Sequence, residues 1–314
     1  MDLTVCICTH NRPGYVRDCL DGLRHQTADA RVYEVLVVDS GSSAAAAAEL
    51  RDIVALYANV RLIRVDTPGV SLARNTAARA AATGTVAFID DDAIPAPDWV
   101  AGIVQALAEG APSVIGGRIL PRWEAPLPTW WPPSLRGVLS IIEHEGQGEY
   151  RTADLPRGME PYAANMVIRT DALLSAGGFG GGLGRHGTAL LSDEEVQLAW
   201  RLQDAGHSVR YDSRIVVHHQ IQATRLRPGW LLSRLFWQGA STVLTRRMLG
   251  YGHSVWRELP RRLAVAVLFA PVALLPRTST RLLEPRWRLA YAVGFIGAAL
   301  GWRAGAAAMR RGRA

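Results

Sequence analysis

Short apolar runs alternate with amphipathic stretches through the first ninety residues of the chain. Leu3 to Cys8 is an apolar run that breaks at Thr9-His10-Asn11-Arg12-Pro13-Gly14. Tyr15 to Arg24 follows with Val16, Leu20 and Leu23 at helical spacing. The cycle repeats with an apolar strand at Tyr33 to Val38, a stop at Asp39-Ser40-Gly41-Ser42, and an alanine-rich helix from Ala44 to Tyr57. Val60 to Val65 is a third strand, and Ser71 to Ala82 a helix for which Ser71 is an apt N-cap. Thr85 to Ile89 is a fourth strand, running directly into Asp90-Asp91-Asp92. Strands alternating with helices predict a mostly parallel sheet covered on both faces. Ligands of such sheets bind beyond the carboxyl ends of the strands. Thr9 to Asn11, Asp39 and Asp90 to Asp92 all fall at such ends.

The pattern then loosens. Val114 to Leu120 is a further strand, and the Pro/Trp-rich stretch Pro121 to Pro133, with Trp130-Trp131, is a long loop of the kind that forms lids or core anchors. A glycine-rich loop spans Gly177 to Gly187. Ser192 to Ala205 is a helix stopped by Gly206. Val209 to Val217 is a strand ending in His218-His219. Past Pro228 the composition changes. Trp230 to Leu249 is an amphipathic helix rich in Arg and aromatic residues. Leu263 to Leu275 and Leu289 to Trp302 are apolar stretches separated by Arg277, Arg281, Arg286 and Arg288. Neither reaches the roughly 20 residues that span a bilayer, and Pro271 interrupts the first. They are expected to lie in a membrane interface or to form a re-entrant pair. An ordinary helical appendage is the alternative, and full spanning a third. The terminal Met309-Arg310-Arg311-Gly312-Arg313 would sit on the cytoplasmic side.

Charge sharpens this division. The net charge of the 314-residue chain is +7, yet from Ile221 onward there are 16 Arg against only Glu258 and Glu284, so the preceding part is acidic. Every basic side chain is Arg, which excludes a Lys Schiff base and a P-loop Lys. The acidic part holds the chemistry, so a nucleic-acid partner is not expected. Arg interleaved with apolar runs suits an anionic membrane surface. Cys6, Cys8 and Cys19 are expected as reduced core thiols, without a disulfide framework. Together with the absence of a signal-like opening, this points to a cytoplasmic protein, peripheral on the inner membrane face.

Three clusters carry chemistry. Adjacent carboxylates such as Asp90-Asp91-Asp92 repel by several kcal/mol unless solvated or neutralised. A divalent cation relieves that repulsion, and oxygen ligands suit Mg²⁺ or Mn²⁺. In extended chain Asp90 and Asp92 share a side. His218 or His219, at a strand end, could complete the metal's shell. Asp193-Glu194-Glu195 opens a helix, where acids favour the dipole. One of them could also act as general base on an acceptor hydroxyl.

Taken in order, these segments resemble the family 2 glycosyltransferases of the GT-A (Rossmann-like) α/β fold. The resemblance rests on Thr9-x-Asn11-Arg12, Val37-Val38-Asp39-x-Gly41-Ser42, Gly69-x-x-x-Ala73-Arg74-Asn75 and Phe88-Ile89-Asp90-Asp91-Asp92. It continues through Ala164-Asn165-Met166-x-Ile168-Arg169, Gly177-Gly178-Phe179, Glu194-Glu195-x-x-Leu198-x-x-Arg201-Leu202 and Val217-x-His219-x-Ile221. It covers about residues 3 to 240. It implies inverting transfer of a sugar from a nucleotide-diphosphate sugar to a hydroxyl acceptor, be that a glycan, a lipid-linked or a natural-product acceptor. By resemblance, Thr9, Asn11, Arg12, Asp39, Arg74, Asp90 and Asn165 border the donor. Asp90, Asp92 and His219 hold Mg²⁺ or Mn²⁺. Glu195 is the base, with Glu194 next in line. Glu stands at the base position where Asp is commoner in the family, and Ser40 replaces the usual Asp or Asn.

The expected organisation is a catalytic domain over 1–225, with a nucleotide-binding half to about 118 and an acceptor half to about 225, followed by a helical, Arg-rich, membrane-associating region over 226–314. A nucleotidyltransferase is the rival enzyme, but Thr9 to Pro13 is no Gly-rich triphosphate signature and the chain has no Lys. A non-catalytic nucleotide-sugar-binding protein on a membrane is the other rival. It would be expected to lack either the Asp run or the Glu pair.

Overall fold

The computed structural model of the protein describes residues 2–110, 112–150, 159–185, 189–274 and 282–301. The chain divides into two compact units, Met1–Arg122 with Leu139–Gly180 and Leu198–Ile221, and Trp123–Val138 with Gly181–Gln197 and Gln222–Ala314. The expected boundary near residue 225 is therefore crossed twice by earlier segments, the Trp130-Trp131 loop and the Gly181–Gln197 segment.

The first unit is built on the expected strand–helix alternation. Strands β1 (Leu3–Thr9), β2 (Tyr33–Ser40), β3 (Val60–Val65) and β4 (Thr85–Asp90) alternate with helices α1 (Pro13–Arg24), α2 (Ala44–Val54) and α3 (Val70–Ala80). In the order β3-β2-β1-β4 all neighbours are parallel. Helices cover the faces, so β1 and β2 are buried along nearly their whole length. Small residues let α3 lie close, with Ala73 and Ala77 fully buried. The onset of α3 differs from the expected one. It begins at Val70, Gly69 takes the N-cap position without a side-chain cap, and the Ser71 hydroxyl is buried inside the helix.

Beyond β4 the sheet changes character. β5 (Ala93–Pro95), β6 (Val114–Trp123), β7 (Gln147–Glu149), β8 (Asn165–Arg169) and β9 (Val209–Ile221) complete nine strands among the described residues. β8 is antiparallel to β4 and to β6, and β5 and β7 are antiparallel to β9. The sheet is thus mixed, with its parallel half confined to β1–β4. Helix α4 (Trp99–Ala108), which hydrophobic patterning had not singled out, and helix α5 (Thr170–Ser175) complete this half together with the later turns of α6 (Glu194–Asp204), whose first residues belong to the other unit.

Asn165 ties this half together. Its Oδ1 accepts from Trp99 Nε1 (2.8 Å), and its Nδ2 donates to the carbonyls of Arg118 and Ile215 (2.8 Å each). At 1 % exposure the amide bonds to α4, β6 and β9. Gly117 is required beside it, because a Cβ there would meet the Asn165 amide and the Ile215 carbonyl.

The second unit contains α7 (Pro228–Met248), α8 (Gly252–Phe269) and α9 (Leu283–Ala299). Its core gathers Leu191, Ala240, Val243, Val255, Phe295 and Ala298. Helices α7 and α9 approach through glycines. A Cβ on Gly239 would strike the Tyr291 carbonyl, and one on Gly294 the Phe236 carbonyl. Glu258 of α8 bridges Arg246 and Arg262, and the Arg262 guanidinium lies 4.4 Å from the centre of the Tyr291 ring. Among the described residues no helix is long and apolar enough to cross a membrane. Arg277, Arg281 and Met309 to Arg313 lie outside the described residues.

Gly117→Ala should destabilise the first unit by about 3 kcal/mol or prevent its folding, since both neighbours are fixed by hydrogen bonds. Gly294→Val should likewise separate α9 from α7. Urea denaturation monitored by circular dichroism would register both as lowered midpoints; wild-type midpoints would refute these packing assignments.

Candidate active site

Strand register brings the chemistry-bearing residues of the first unit together. Thr9 is paired with Asp39, and Cys8 with Asp90, so the ends of β1, β2 and β4 finish at one edge. After Asp92 the chain becomes β5, in which Ala93 pairs with His219 of β9. The Gln220 amide donates to the Asp92 carbonyl at 2.7 Å. His219 therefore meets Asp92 by main-chain pairing, although 127 positions separate them in the chain.

Each of the three carboxylates has its own counterpart. Asp90, the more exposed, pairs with the buried Arg74, Nη2 to Oδ1 3.2 Å. The Arg74 guanidinium also lies over the Phe179 ring at 5.4 Å. Phe179 is held in place by Asn75, whose amide takes the Phe179 N–H and donates to its carbonyl (2.8 and 3.0 Å). Asp91 accepts from the Thr9 hydroxyl (2.7 Å) and from Arg12 Nη1 (2.9 Å). Asp92 accepts from the same Arg12 nitrogen at 2.8 Å, and its other oxygen is 3.3 Å from His219 Nε2. Burial pushes the Asp91 carboxyl up to about 7, against the pull of Arg12. Asp91, which sequence alone left without a role, is the pivot between Thr9 and Arg12.

The histidine's orientation is fixed by chemistry. Nδ1 of His219 lies 3.0 Å from the Leu139 carbonyl, which only accepts, so Nδ1 carries a proton. Nε2 is thereby turned to the carboxylate. His219 and Asp92 are both 2 % exposed. Among the described residues no set of three or more His, Cys, Asp or Glu side chains is assembled to hold a metal ion. The expected trio is thus divided, with Asp92 and His219 in contact and Asp90 drawn to Arg74.

The neighbouring loops form a second tier. Asn11 adopts φ of 57°, uncommon for a residue with a side chain. Its N–H donates to the Ser42 hydroxyl, and its Oδ1 accepts from the Ser43 N–H, both at 2.8 Å. His10 Nδ1 donates to the Ser40 carbonyl (2.7 Å). Asp39 is buried, accepting from the Ser42 N–H (3.0 Å) and from Arg64 Nη1 (2.6 Å). The Ser40 hydroxyl accepts from the Gly69 N–H at 3.0 Å, so Ser40 serves to join the turn after β2 to the start of α3. Arg64 also donates to the Ser42 carbonyl at 3.0 Å, a tie that the apolar strand pattern around it had concealed.

Asn165 and the acidic run are held by other parts of the fold. Asn165 was expected against the substrate; its amide bonds Trp99, Arg118 and Ile215. Glu194 and Glu195 open α6 in the second unit, preceded by Asp193 at φ of 74°. Gln238 of α7 donates to both Asp193 oxygens (2.9 and 3.0 Å), and the Ser192 N–H donates to Ser241 Oγ (3.0 Å). Helix α7 thus sets the position of the acidic run. The three cysteines are free. Burial pushes the Cys8 thiol up to about 12, and Cys8 packs, partly buried, against the core.

The mixed α/β sheet with its flanking helices resembles that of solved proteins of the GT-A fold. The chain belongs to Glycosyl transferase family 2, whose pattern matches residues 4–171, and it is a glycosyltransferase. It is 26 % identical over 245 residues to the glucosyl-dolichyl phosphate glucuronosyltransferase of Haloferax volcanii, covering 77 % of this chain and 76 % of that one. It is 29 % identical over 235 residues to the pre-mycofactocin glycosyltransferase of Mycobacterium tuberculosis, covering 74 % of this chain and 46 % of that one, so it spans about half of that relative. Among solved structures it resembles a Pyrobaculum calidifontis mannosyltransferase in complex with GDP-mannose and Mn²⁺, with a TM-score of 0.56, 18 % identity and coverage of 99 % and 79 %. It also resembles Staphylococcus aureus TarS residues 1–349 in complex with UDP-GlcNAc, with a TM-score of 0.55, 15 % identity and coverage of 97 % and 92 %.

Arg12→Met should lower stability by about 3 kcal/mol at neutral pH, because two buried carboxylates lose a shared cation. Chemical denaturation checks this, and an unchanged midpoint would show that the Arg12 contacts contribute nothing.

Proposed function

We propose that the protein transfers a sugar, with inversion, from a nucleoside-diphosphate sugar to a hydroxyl acceptor in a reaction that requires Mg²⁺ or Mn²⁺. The observation that carries this reading is the contact between Asp92 and His219, with the His219 Nδ1 proton directed to Leu139. A histidine nitrogen facing a carboxylate oxygen matches the donor set of such ions when diphosphate oxygens supply the remaining positions. Asp92 and His219 would hold the ion, with Asp90 reaching it or a donor hydroxyl. When bound, the ion would stabilise negative charge on the departing nucleoside diphosphate.

The chain's own residues would do the rest. Arg12 would exchange part of its carboxylate contact for the diphosphate. Thr9, Asn11 and Asp39 would line the nucleoside side, and Arg74 would sit by base or phosphate. Asn165 would act indirectly, by fixing β8 beside β4. Glu195 would take the acceptor hydroxyl proton as the acceptor oxygen bonds to the anomeric carbon and the anomeric carbon–diphosphate oxygen bond breaks. Glu194, more deeply buried, is the alternative base.

A lipid-linked acceptor is supported by the Haloferax relative, whose name includes dolichyl phosphate, and by the Arg-rich second unit. That unit would keep the protein peripheral on the inner face of a membrane.

Asp92→Asn should reduce donor turnover at least a thousandfold (~4 kcal/mol of transition-state stabilisation) and remove the thermal shift that Mn²⁺ with UDP or GDP produces in the wild type. A variant that keeps both would refute the metal assignment. Glu195→Gln should preserve that thermal shift and lose transfer. Unchanged transfer would move the base to Glu194.

A further inference from the structure

The two apolar stretches of the second unit have different fates. Helix α9 buries Ala292, Gly294, Phe295, Ala298 and Ala299, and its glycine contact locks it onto α7. Helix α8 instead leaves Trp256 (55 % exposed), Leu263, Val267 (76 %) and Leu268 (68 %) in solvent. Pro260 and Ala264 are exposed on the same side. Positions 256, 260, 263, 264, 267 and 268 follow helical spacing, so they form one stripe about 18 Å long. Val255, on the opposite side, is fully buried.

The charges beside the stripe have one sign. Arg257 and Arg261 are exposed along its edge. The single acid of the helix, Glu258, is directed away and is bound by Arg246 and Arg262. Arg262 is itself directed inward over Tyr291. An apolar stripe with exposed guanidinium groups along one edge, and the exposed His253 imidazole a turn before it, complements an anionic, apolar-cored surface.

We propose that this face of α8 is a docking surface for an anionic lipid bilayer, with Trp256, Leu263, Val267 and Leu268 entering the interface and Arg257 and Arg261 meeting lipid phosphates. It rests on the peripheral membrane reading above and assigns that contact to one helix face. Helix α9, which sequence placed equally at the interface, serves as a packing strut.

The test is co-sedimentation of the full chain with vesicles of phosphatidylcholine, alone or mixed with phosphatidylglycerol. Binding should need phosphatidylglycerol and weaken with salt. Val267→Asp with Leu268→Asp should lower the partition coefficient roughly tenfold or more. Arg257→Gln and Arg261→Gln should each lower it about fivefold on anionic vesicles. Val293→Asp, at an exposed position of α9, should leave it unchanged. All substituted positions are exposed, so melting curves should match the wild type. Failure of the wild type to bind any vesicle would overturn the membrane reading itself. Wild-type binding that survives the double substitution, or is lost equally with Val293→Asp, would overturn only the assignment to α8. A lipid-free dimer that the double substitution dissociates in sedimentation velocity would make a second copy the occupant and overturn the proposal.

Discussion

Neutralising three successive carboxylates at the end of β4 is the constraint around which the first unit is arranged. Adjacent anions at a buried strand end are costly in a medium that screens poorly. Each is answered from a different part of the fold, Asp90 by Arg74 of α3, Asp91 by Thr9 and Arg12 after β1, and Asp92 by Arg12 and by His219 of β9. Arg12 is shared by the two buried carboxylates, so its removal would leave the most charge uncompensated. A divalent cation of the kind proposed above would add positive charge against the same carboxylates.

The mixed sheet makes that arrangement possible. Parallel pairing in β1–β4 aligns three strand ends at one edge. It cannot deliver a residue from the far side of the sheet in a short span, because parallel strands need crossovers. The antiparallel half does so, with β5 turning directly from Asp92 to run against β9. Asn165 and Gly117 make the junction rigid, and Asn75 and Arg201 do the same for the glycine-rich turn, Arg201 by donating to the Ala176 and Gly178 carbonyls.

The second unit follows different physics. Its helices meet through Gly239 and Gly294, where main chains come close enough that any side chain would intrude. That packing leaves α8 with an outward stripe that its own neighbours do not cover. The acidic start of α6 is anchored to α7 through Asp193 and Gln238, which sets the position of the proposed base within this unit.

Much was legible from the order of residues alone. Periodicity identified β1–β4 with α1 and α2, because strands buried on both faces are continuously apolar and their covering helices repeat every three to four residues. The succession of motifs identified the family, and the Asp run identified where charge had to be compensated. Sequence could not show which partner each carboxylate takes, because Arg12, Arg74 and His219 reach the aspartates through register and loop geometry. Nor could it show that the Asn165 amide bonds Trp99, Arg118 and Ile215, since the fold alone brings α4, β6 and β9 to it. The two apolar tail stretches looked alike in composition. Tertiary packing alone distinguished them, burying α9 against glycines of α7 and leaving the face of α8 uncovered, because exposure belongs to the assembled surface and not to the residues that line it.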